Sequence, residues 1–346
     1  MQNVLDLIKW YKKNFRDLPW RTTKDAYKIW LSEVILQQTQ VAQGLNYYHR
    51  FITEYPTVSI LAAASEEQVL RSWQGLGYYS RARNLHKTAK LITNEYQGIF
   101  PAEKSELLKL PGVGDYTASA IASFAFDKPH PAIDGNVFRV ISRYYDIDLP
   151  VDEPATRKVF LEILQPMIEQ TSASLFNNAI MELGATLCKN DRPNCSICPL
   201  YIDCQARINE TIALRPVKNK KVKKRNRFFN YLLIRHKDNI YIKRRNGKDI
   251  WEGLFELPLI ETESQKDWSA IQSSMPAILG NSDNFRLVQQ TSLKHVLTHQ
   301  NLFCNFYEIF TSEKPIFTSE ECLEIELKDS TKFPFPILIS NFLLSL

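Results

Sequence analysis

Apolar positions recur at helical spacing through the first 210 residues, then alternate strand-like from Phe228 onward. A first helix starts near residue 1 and ends between Asn14 and Pro19, where Leu18-Pro19-Trp20-Arg21 breaks it. The spacing predicts a helix over Ala26–Gly44. Trp30, Val34 and Val41 form one apolar stripe on it, and Leu31 and Ile35 form a second. Further helices are expected over Tyr47–Tyr55, Ser59–Ala64, Glu66–Trp73, Ser80–Glu95, Lys104–Lys109, Tyr116–Phe126, Val137–Tyr145, Ala155–Ile168 and Ser172–Leu187. Beyond Phe228 the pattern predicts strands over Tyr231–Arg235 and Ile240–Lys243 about a turn at Lys237–Asn239. A bulged strand at Trp251–Pro258, a helix near Trp268–Ser273 and strands at His295–Thr298 and Leu302–Phe310 complete an α+β region. A chain of 346 residues exceeds one ordinary core. The expected division is a helical region at 1–210, a basic linker at 211–227 and an α+β domain at 228–346.

Within the helical region, Leu110–Arg143 carries the densest chemistry. Pro111 stops one helix, and Gly112 and Gly114 tolerate backbone angles that side chains forbid. The small residues Thr117–Ala122 then start another helix. Such a helix-hairpin-helix leaves backbone N–H groups free at a helix N-terminus, where a DNA phosphate can sit. Asp134, just before Gly135, is placed to present a carboxylate to a pocket. In the helix over Ala26–Gly44, Glu33, Gln37 and Gln40 fall on one face. A carboxyl in so apolar a segment either pairs or keeps its proton to near neutral pH, as a general acid does. Gly75, Gly77, Tyr78 and Tyr79 form a glycine loop ahead of Arg81 and Arg83, a combination that suits stacking or wedging between bases.

Charge and cysteines sharpen this picture. The net charge is only +5, yet Arg215–Arg227 holds eight basic residues and no acid, so the rest of the chain is slightly acidic. That run fits either a polyanion contact or a solvated linker. Cys188, Cys195, Cys198 and Cys204 lie six, two and five residues apart, a metal loop rather than a disulfide framework. Four thiolates suit zinc or an iron–sulfur cluster, and spacing does not choose between them. Either implies a reducing compartment. Cys304 and Cys322 read as buried thiols. No apolar run reaches membrane-span length, and Met1–Trp10, with Asp6 and Lys9, is not a secretory signal.

Five pieces in this order, Trp30–Val41, Gly75–Tyr79, Leu110–Thr117, Asp134–Val137 and the four-cysteine loop, resemble the adenine DNA glycosylases of the MutY type, within the helix-hairpin-helix glycosylase superfamily. The resemblance covers almost the whole chain. It implies a mostly α N-terminal region, a six-helix barrel with an iron–sulfur helical subdomain, followed by a C-terminal α+β Nudix-like domain. It implies a monofunctional enzyme that flips adenine out from opposite 8-oxoguanine or guanine and excises it, starting base excision repair. Glu33 then matches the general acid, and Asp134 the carboxylate that supports the cationic sugar. Tyr116 and Asn136 match active-site residues, and Gln38 and Tyr78 match residues that enter the duplex. Gly112 and Gly114 hold the DNA backbone, and Cys188, Cys195, Cys198 and Cys204 bind a [4Fe–4S] cluster. Bifunctional relatives carry Lys where this chain has Tyr116, which counts against an endonuclease III-like lyase. Thr298 and His299 match a Ser-His pair that contacts the lesion, with Leu297 in place of the usual aromatic. No Nudix hydrolase box follows Pro258. The implied partner is double-stranded DNA holding an A:8-oxoguanine or A:G mispair, met by a monomer with no membrane contact. The implied location is the bacterial cytoplasm at the nucleoid, or the nucleus in a eukaryote.

Overall fold

The computed structural model describes residues 2–219, 223–280, 285–318 and 322–346. Its helices are α1 (Gln2–Asn14), α2 (Ala26–Leu36), α3 (Val41–Glu54), α4 (Val58–Ala63), α5 (Glu66–Ser72), α6 (Ser80–Glu95) and α7 (Lys104–Leu107). They continue with α8 (Asp115–Phe126), α9 (Gly135–Tyr144), α10 (Pro154–Ile168), α11 (Ala173–Thr186) and α12 (Gln205–Ile208). Strands β1 (Arg225–His236), β2 (Asn239–Arg244), β3 (Phe255–Glu256) and β4 (Leu259–Thr262) follow. Helix α13 (Trp268–Ser274), strands β5 (Phe285–Val296), β6 (Gln300–Thr311) and β7 (Cys322–Glu326), and helix α14 (Ile337–Leu344) close the chain. Contacts divide it into two compact units, Met1–Ala63 with Asn84–Lys220, and Ala64–Arg83 with Lys221–Leu346.

In the first unit, α1, α9, α10 and α11 bury Leu7, Val137, Ile141, Phe160, Phe176 and Ile180 together. A second cluster joins Ile29 of α2 to Ala120 and Phe124 of α8. The single helix expected over Ala26–Gly44 is two. Helix α2 ends at Leu36, Gln38 takes a left-handed φ of 55°, and Gln40 becomes the N-cap of α3. Gln40 therefore does not share a helix face with Glu33. Periodicity missed the break because apolar spacing resumes in phase beyond it, with neither Gly nor Pro to mark it.

In the second unit, the sheet runs β3-β2-β1-β6-β5, with β4 also paired to β1 and β7 to β2. It is mixed: β1 and β6 are parallel and the other pairs antiparallel. One face packs against α14 through Phe306, Phe335, Ile339 and Phe342. Part of the other packs against α13 through Leu232, Ile234, Tyr307 and Ile309. The bulged strand expected at Trp251–Pro258 is a turn, with φ of 62° at Trp251 and 82° at Gly253, followed by the two residues of β3. Cys304 is buried as expected, whereas Cys322 is only half-buried. Arg227, read from sequence as linker, lies inside β1. Its guanidinium is buried and pairs with Asp249 and Glu261 at 2.8 and 2.7 Å. Arg215 pairs with Asp146 at 2.9 Å. Lys218, Lys223, Lys224 and Arg225 are exposed, and Lys220 and Lys221 of the basic run lie outside the described residues.

Candidate active site

A cavity of about 740 Å³ in the first unit is lined by Glu33, Tyr116, Asp134 and Asn136. Two helix ends and one helix interior bring them there. Glu33 sits towards the end of α2, whose residues from Ile29 to Ile35 are all buried. Tyr116 stands in the first turn of α8 and donates to Glu33 Oε2 at 2.7 Å. Asp134 is the N-cap of α9 and accepts the Val137 N–H at 2.8 Å. Its other oxygen accepts Asn136 Nδ2 at 2.7 Å.

Electrostatics separates the two carboxyls. Burial pushes Glu33 up to about 7, with Asp134 adding to the rise and the Tyr116 hydroxyl opposing it. Burial also raises Asp134, but the Val137 N–H, Asn136 and Arg139 all favour its charged form. The Tyr116 phenol is pushed far up by burial and both neighbouring carboxylates, so it stays a donor. The cavity thus holds one carboxyl that is protonated near neutrality beside one furnished with donors for its anion. That pair can protonate a leaving group while supporting positive charge on what it leaves.

The hairpin stands at the cavity rim. Gly112 has φ +76°, and a Cβ there would meet Asn84 Cβ at 2.7 Å, so glycine is required. Gly114 differs from expectation: it is the extended N-cap of α8, with φ −87°, and needs no special freedom. No side chain caps that helix, which leaves its first N–H groups to an outside acceptor. Asp115, in the first turn, is held by Lys104 at 2.6 Å and Arg157 at 2.5 Å, and the two cations offset its charge.

Two features were not read from sequence. Trp20, Arg16 and Arg21 line the same cavity, although Leu18–Arg21 registered only as a break. Both arginines converge on Glu182 of α11, which is wholly buried and held down to about 2 by them against its own desolvation. The available signal was the one used for Glu33, an acid inside an apolar helical run. Arg139 links the site to the cysteine loop. It donates to Asn136 Oδ1 at 2.7 Å, to the Gly184 carbonyl at 2.8 Å and to the Cys188 carbonyl at 2.7 Å.

Cys188, Cys195, Cys198 and Cys204 are all free thiols and line one small cavity with Arg143 and Arg207. Burial raises Cys198 to about 11 and also raises Cys195 and Cys204, so these three sulfurs need a metal's charge to ionise. Four convergent thiols flanked by two guanidiniums fit an anionic metal–thiolate centre. Among the described residues no group of three or more His, Cys, Asp or Glu is already arranged as a metal site.

In the second unit, Tyr78, Trp251, Thr298, His299 and Gln300 line a cavity of about 450 Å³. The Tyr78 hydroxyl bonds Thr298 Oγ1, and Tyr78 takes a left-handed φ of 49°. Arg81 donates to the carbonyls of Leu76 and Gly77 beneath it. Gln38, also at positive φ, lines the first unit's cavity.

A family model described as HhH-GPD superfamily base excision DNA repair protein matches residues 31–166, and one described as NUDIX domain matches residues 230–345. The adenine DNA glycosylase of Buchnera aphidicola subsp. Baizongia pistaciae (strain Bp) is 34% identical over 316 residues, 90% of this chain and 87% of that protein. That of Buchnera aphidicola subsp. Acyrthosiphon pisum (strain APS) is 36% identical over 260 residues, 75% of this chain and 74% of that protein. The chain belongs to the adenine DNA glycosylase family. It is a DNA glycosylase of base excision repair, with an HhH-GPD helical part and a Nudix-like C-terminal sheet. A solved thermostable thymine-DNA glycosylase matches 60% of this chain and 95% of its own, at 26% identity and a TM-score of 0.55. Among the described residues no helix is long and apolar enough to cross a membrane.

Proposed function

We propose that this glycosylase extrudes adenine paired with 8-oxoguanine or guanine and hydrolyses its N-glycosidic bond without cutting the strand. The supporting observation is the shared cavity in which Glu33 holds a proton near pH 7 beside the hydrogen-bonded Asp134. Glu33 protonates the departing base, lowering the energy of the bond-breaking state. Asp134, kept anionic by Val137 and Asn136, faces the sugar and supports its oxocarbenium-like charge. Tyr116 orients Glu33 through its hydroxyl and offers no amine for a Schiff base, so the product is an abasic site. Extrusion precedes chemistry, with Gln38 and Tyr78 each entering the duplex near the oxidised guanine and the hairpin at Gly112–Gly114 gripping a phosphate. Thr298, His299 and the cavity they line read the oxidised guanine. Cys188, Cys195, Cys198 and Cys204 hold a [4Fe–4S] cluster, which when bound supplies a rigid anionic anchor for its loop.

The test is strand-specific base release from a duplex bearing one adenine opposite 8-oxoguanine. Alkali-dependent strand scission is expected in the wild type. Asp134→Asn and Glu33→Gln should each lose about 100-fold or more, the lower range for a removed acid–base group. Scission without alkali would instead favour a lyase, and unchanged release by Asp134→Asn would reject the assigned chemistry.

A further inference from the structure

Strands β1 and β6 carry one pattern twice: Asn226, Phe228 and Asn230 on the first, Asn301, Phe303 and Asn305 on the second. Parallel pairing sets them opposite one another row by row, Asn226 with Asn301, Phe228 with Phe303 and Asn230 with Asn305. The phenyl rings stack at 5.2 Å between centroids, 16° from parallel. Asn301 donates to Asn226 at 2.9 Å, and Asn305 to Asn230 at 3.0 Å. On β5, Lys294 stands opposite Phe303 and Ser292 opposite Asn305, and the Lys294 ammonium lies 5.2 Å from the Phe303 ring centre.

The two asparagine rows differ in a way that pairing alone does not explain. The inner row is buried and closed: Asn230 also donates to the Ile260 carbonyl and Thr262 Oγ1, and Asn305 accepts from Ser292. That row is accounted for as strand-pairing architecture. In the outer row, Asn226 Nδ2 and Asn301 Oδ1 make no hydrogen bond among the described residues, leaving one donor and one acceptor side by side at the platform's edge. The α13 cluster covers this sheet face only from Leu232 and Tyr307 onward, so Phe228 and Phe303 are half-buried and line a cavity of about 240 Å³. Lys294 is on the face, exposed Lys223, Lys224 and Arg225 lead into β1, and the facing β4 positions are Ile260 and Thr262.

We propose that this face is a stacking site for one unpaired base of a DNA strand, distinct from the cavity at Thr298 and His299. The base packs against the Phe228–Phe303 stack within this cavity, its edge meets the Asn226 and Asn301 amides, and its phosphate meets Lys294. Duplex bases have both faces occupied by their neighbours, so the ligand is a base out of the helix. The cavity admits a single ring system rather than a pair.

Ultraviolet cross-linking of the full chain to a short oligothymidylate, mapped by mass spectrometry, tests the site directly. Adducts on the peptides holding Phe228 or Phe303 are expected, and adducts confined to other peptides overturn the proposal. Fluorescence anisotropy with the same strand should show about tenfold weaker binding for Phe303→Leu, within the range for losing one base stack. Lys294→Gln, an exposed change that spares folding, should weaken binding and flatten its salt dependence. Unaltered affinity in the folded Lys294→Gln and Phe303→Leu proteins refutes the site. Displacement by dTMP as effective, per nucleotide, as by the strand would reassign it to free nucleotides and overturn the strand reading. Adenine release from duplex should stay within about twofold of wild type in both variants, because a catalytic defect would signal a fault in the excision reading rather than in this one.

Discussion

Replacing Glu33 with glutamine should abolish base release and yet stabilise the protein, by an amount that depends on pH. The buried carboxyl titrates near 7 against an ordinary value of 4.5. Between those values the folded chain holds a proton that the unfolded chain has released. Wild-type stability therefore falls as pH rises through that window and is lowest above 7. A gap of about 2.5 pH units at 1.36 kcal/mol each amounts to about 3 kcal/mol. Glutamine does not ionise and can still accept the Tyr116 hydroxyl, so its packing effect is the same at every pH. The variant's stability relative to wild type should thus improve by about 3 kcal/mol between pH 4.5 and pH 8. Urea unfolding followed by helical circular dichroism at several pH values measures this. An offset that stays constant with pH would show that Glu33 titrates as an ordinary surface acid, and the general-acid assignment would lose its physical basis.

Base release under single turnover should be level just below pH 7, until Asp134 gains its proton at lower pH, and fall tenfold per pH unit above 7 as Glu33 loses its own; a rate that keeps rising to pH 9 excludes Glu33 as the acid. Gly184→Ala places a Cβ 2.6 Å from Asn136 Cβ, so it should displace the partner of Asp134 and cut release at least about tenfold, with an overpacking cost of about 1–3 kcal/mol seen in thermal melts. Arg227→Met strands Glu261 and leaves Asp249 with Arg245, and should destabilise the C-terminal sheet by about 2 kcal/mol, below the cost of a fully buried pair because both carboxylates keep partial exposure; an unchanged denaturation midpoint counters this. The purified chain should be yellow-brown with about four irons, and Cys198→Ser should bleach it, whereas stoichiometric zinc would refute the cluster.

Much of the helical architecture was legible because helix periodicity and stop signals coincide. Ser80–Glu95 was read with its observed bounds, and Pro111 and Gly112 marked the hairpin correctly. The break at Gln37–Gln40 was not legible, since polar residues of good helix propensity occupy it and the left-handed turn at Gln38 has no glycine to announce it. Sheet connectivity was also hidden. Strand alternation identifies faces, but the parallel pairing of β1 with β6 joins segments some seventy residues apart. Arg21 escaped notice because a buried ion pair depends on convergence in space, and an arginine beside a chain break reads as an ordinary surface charge, whereas Glu182 carried the same signal as Glu33, an acid inside an apolar helical run. Arg227 was misread for the opposite reason: it follows a run of exposed lysines, although β1 has already begun.

Two carboxyls in one cavity, one of which raises the other's proton affinity, need something to determine which of them keeps the proton. Glu33 lies within a helix whose backbone N–H groups are already committed, and among the described residues its hydrogen-bond partner is the Tyr116 hydroxyl. Asp134 lies at the start of a helix, where uncommitted N–H groups point toward it and the helix dipole favours negative charge. The same distinction follows from chain position alone: a carboxyl at a helix middle meets side chains, and one at an N-cap meets backbone donors. Asn136 and Arg139 then extend the Asp134 network away from Glu33, toward the Cys188 carbonyl. Packing α2 against α8 buries the acid, and beginning α9 at Asp134 charges its partner. The division of labour at the site thus comes from where helices begin, and a variant that moves the start of α9 should weaken catalysis even with every side chain of the cavity retained.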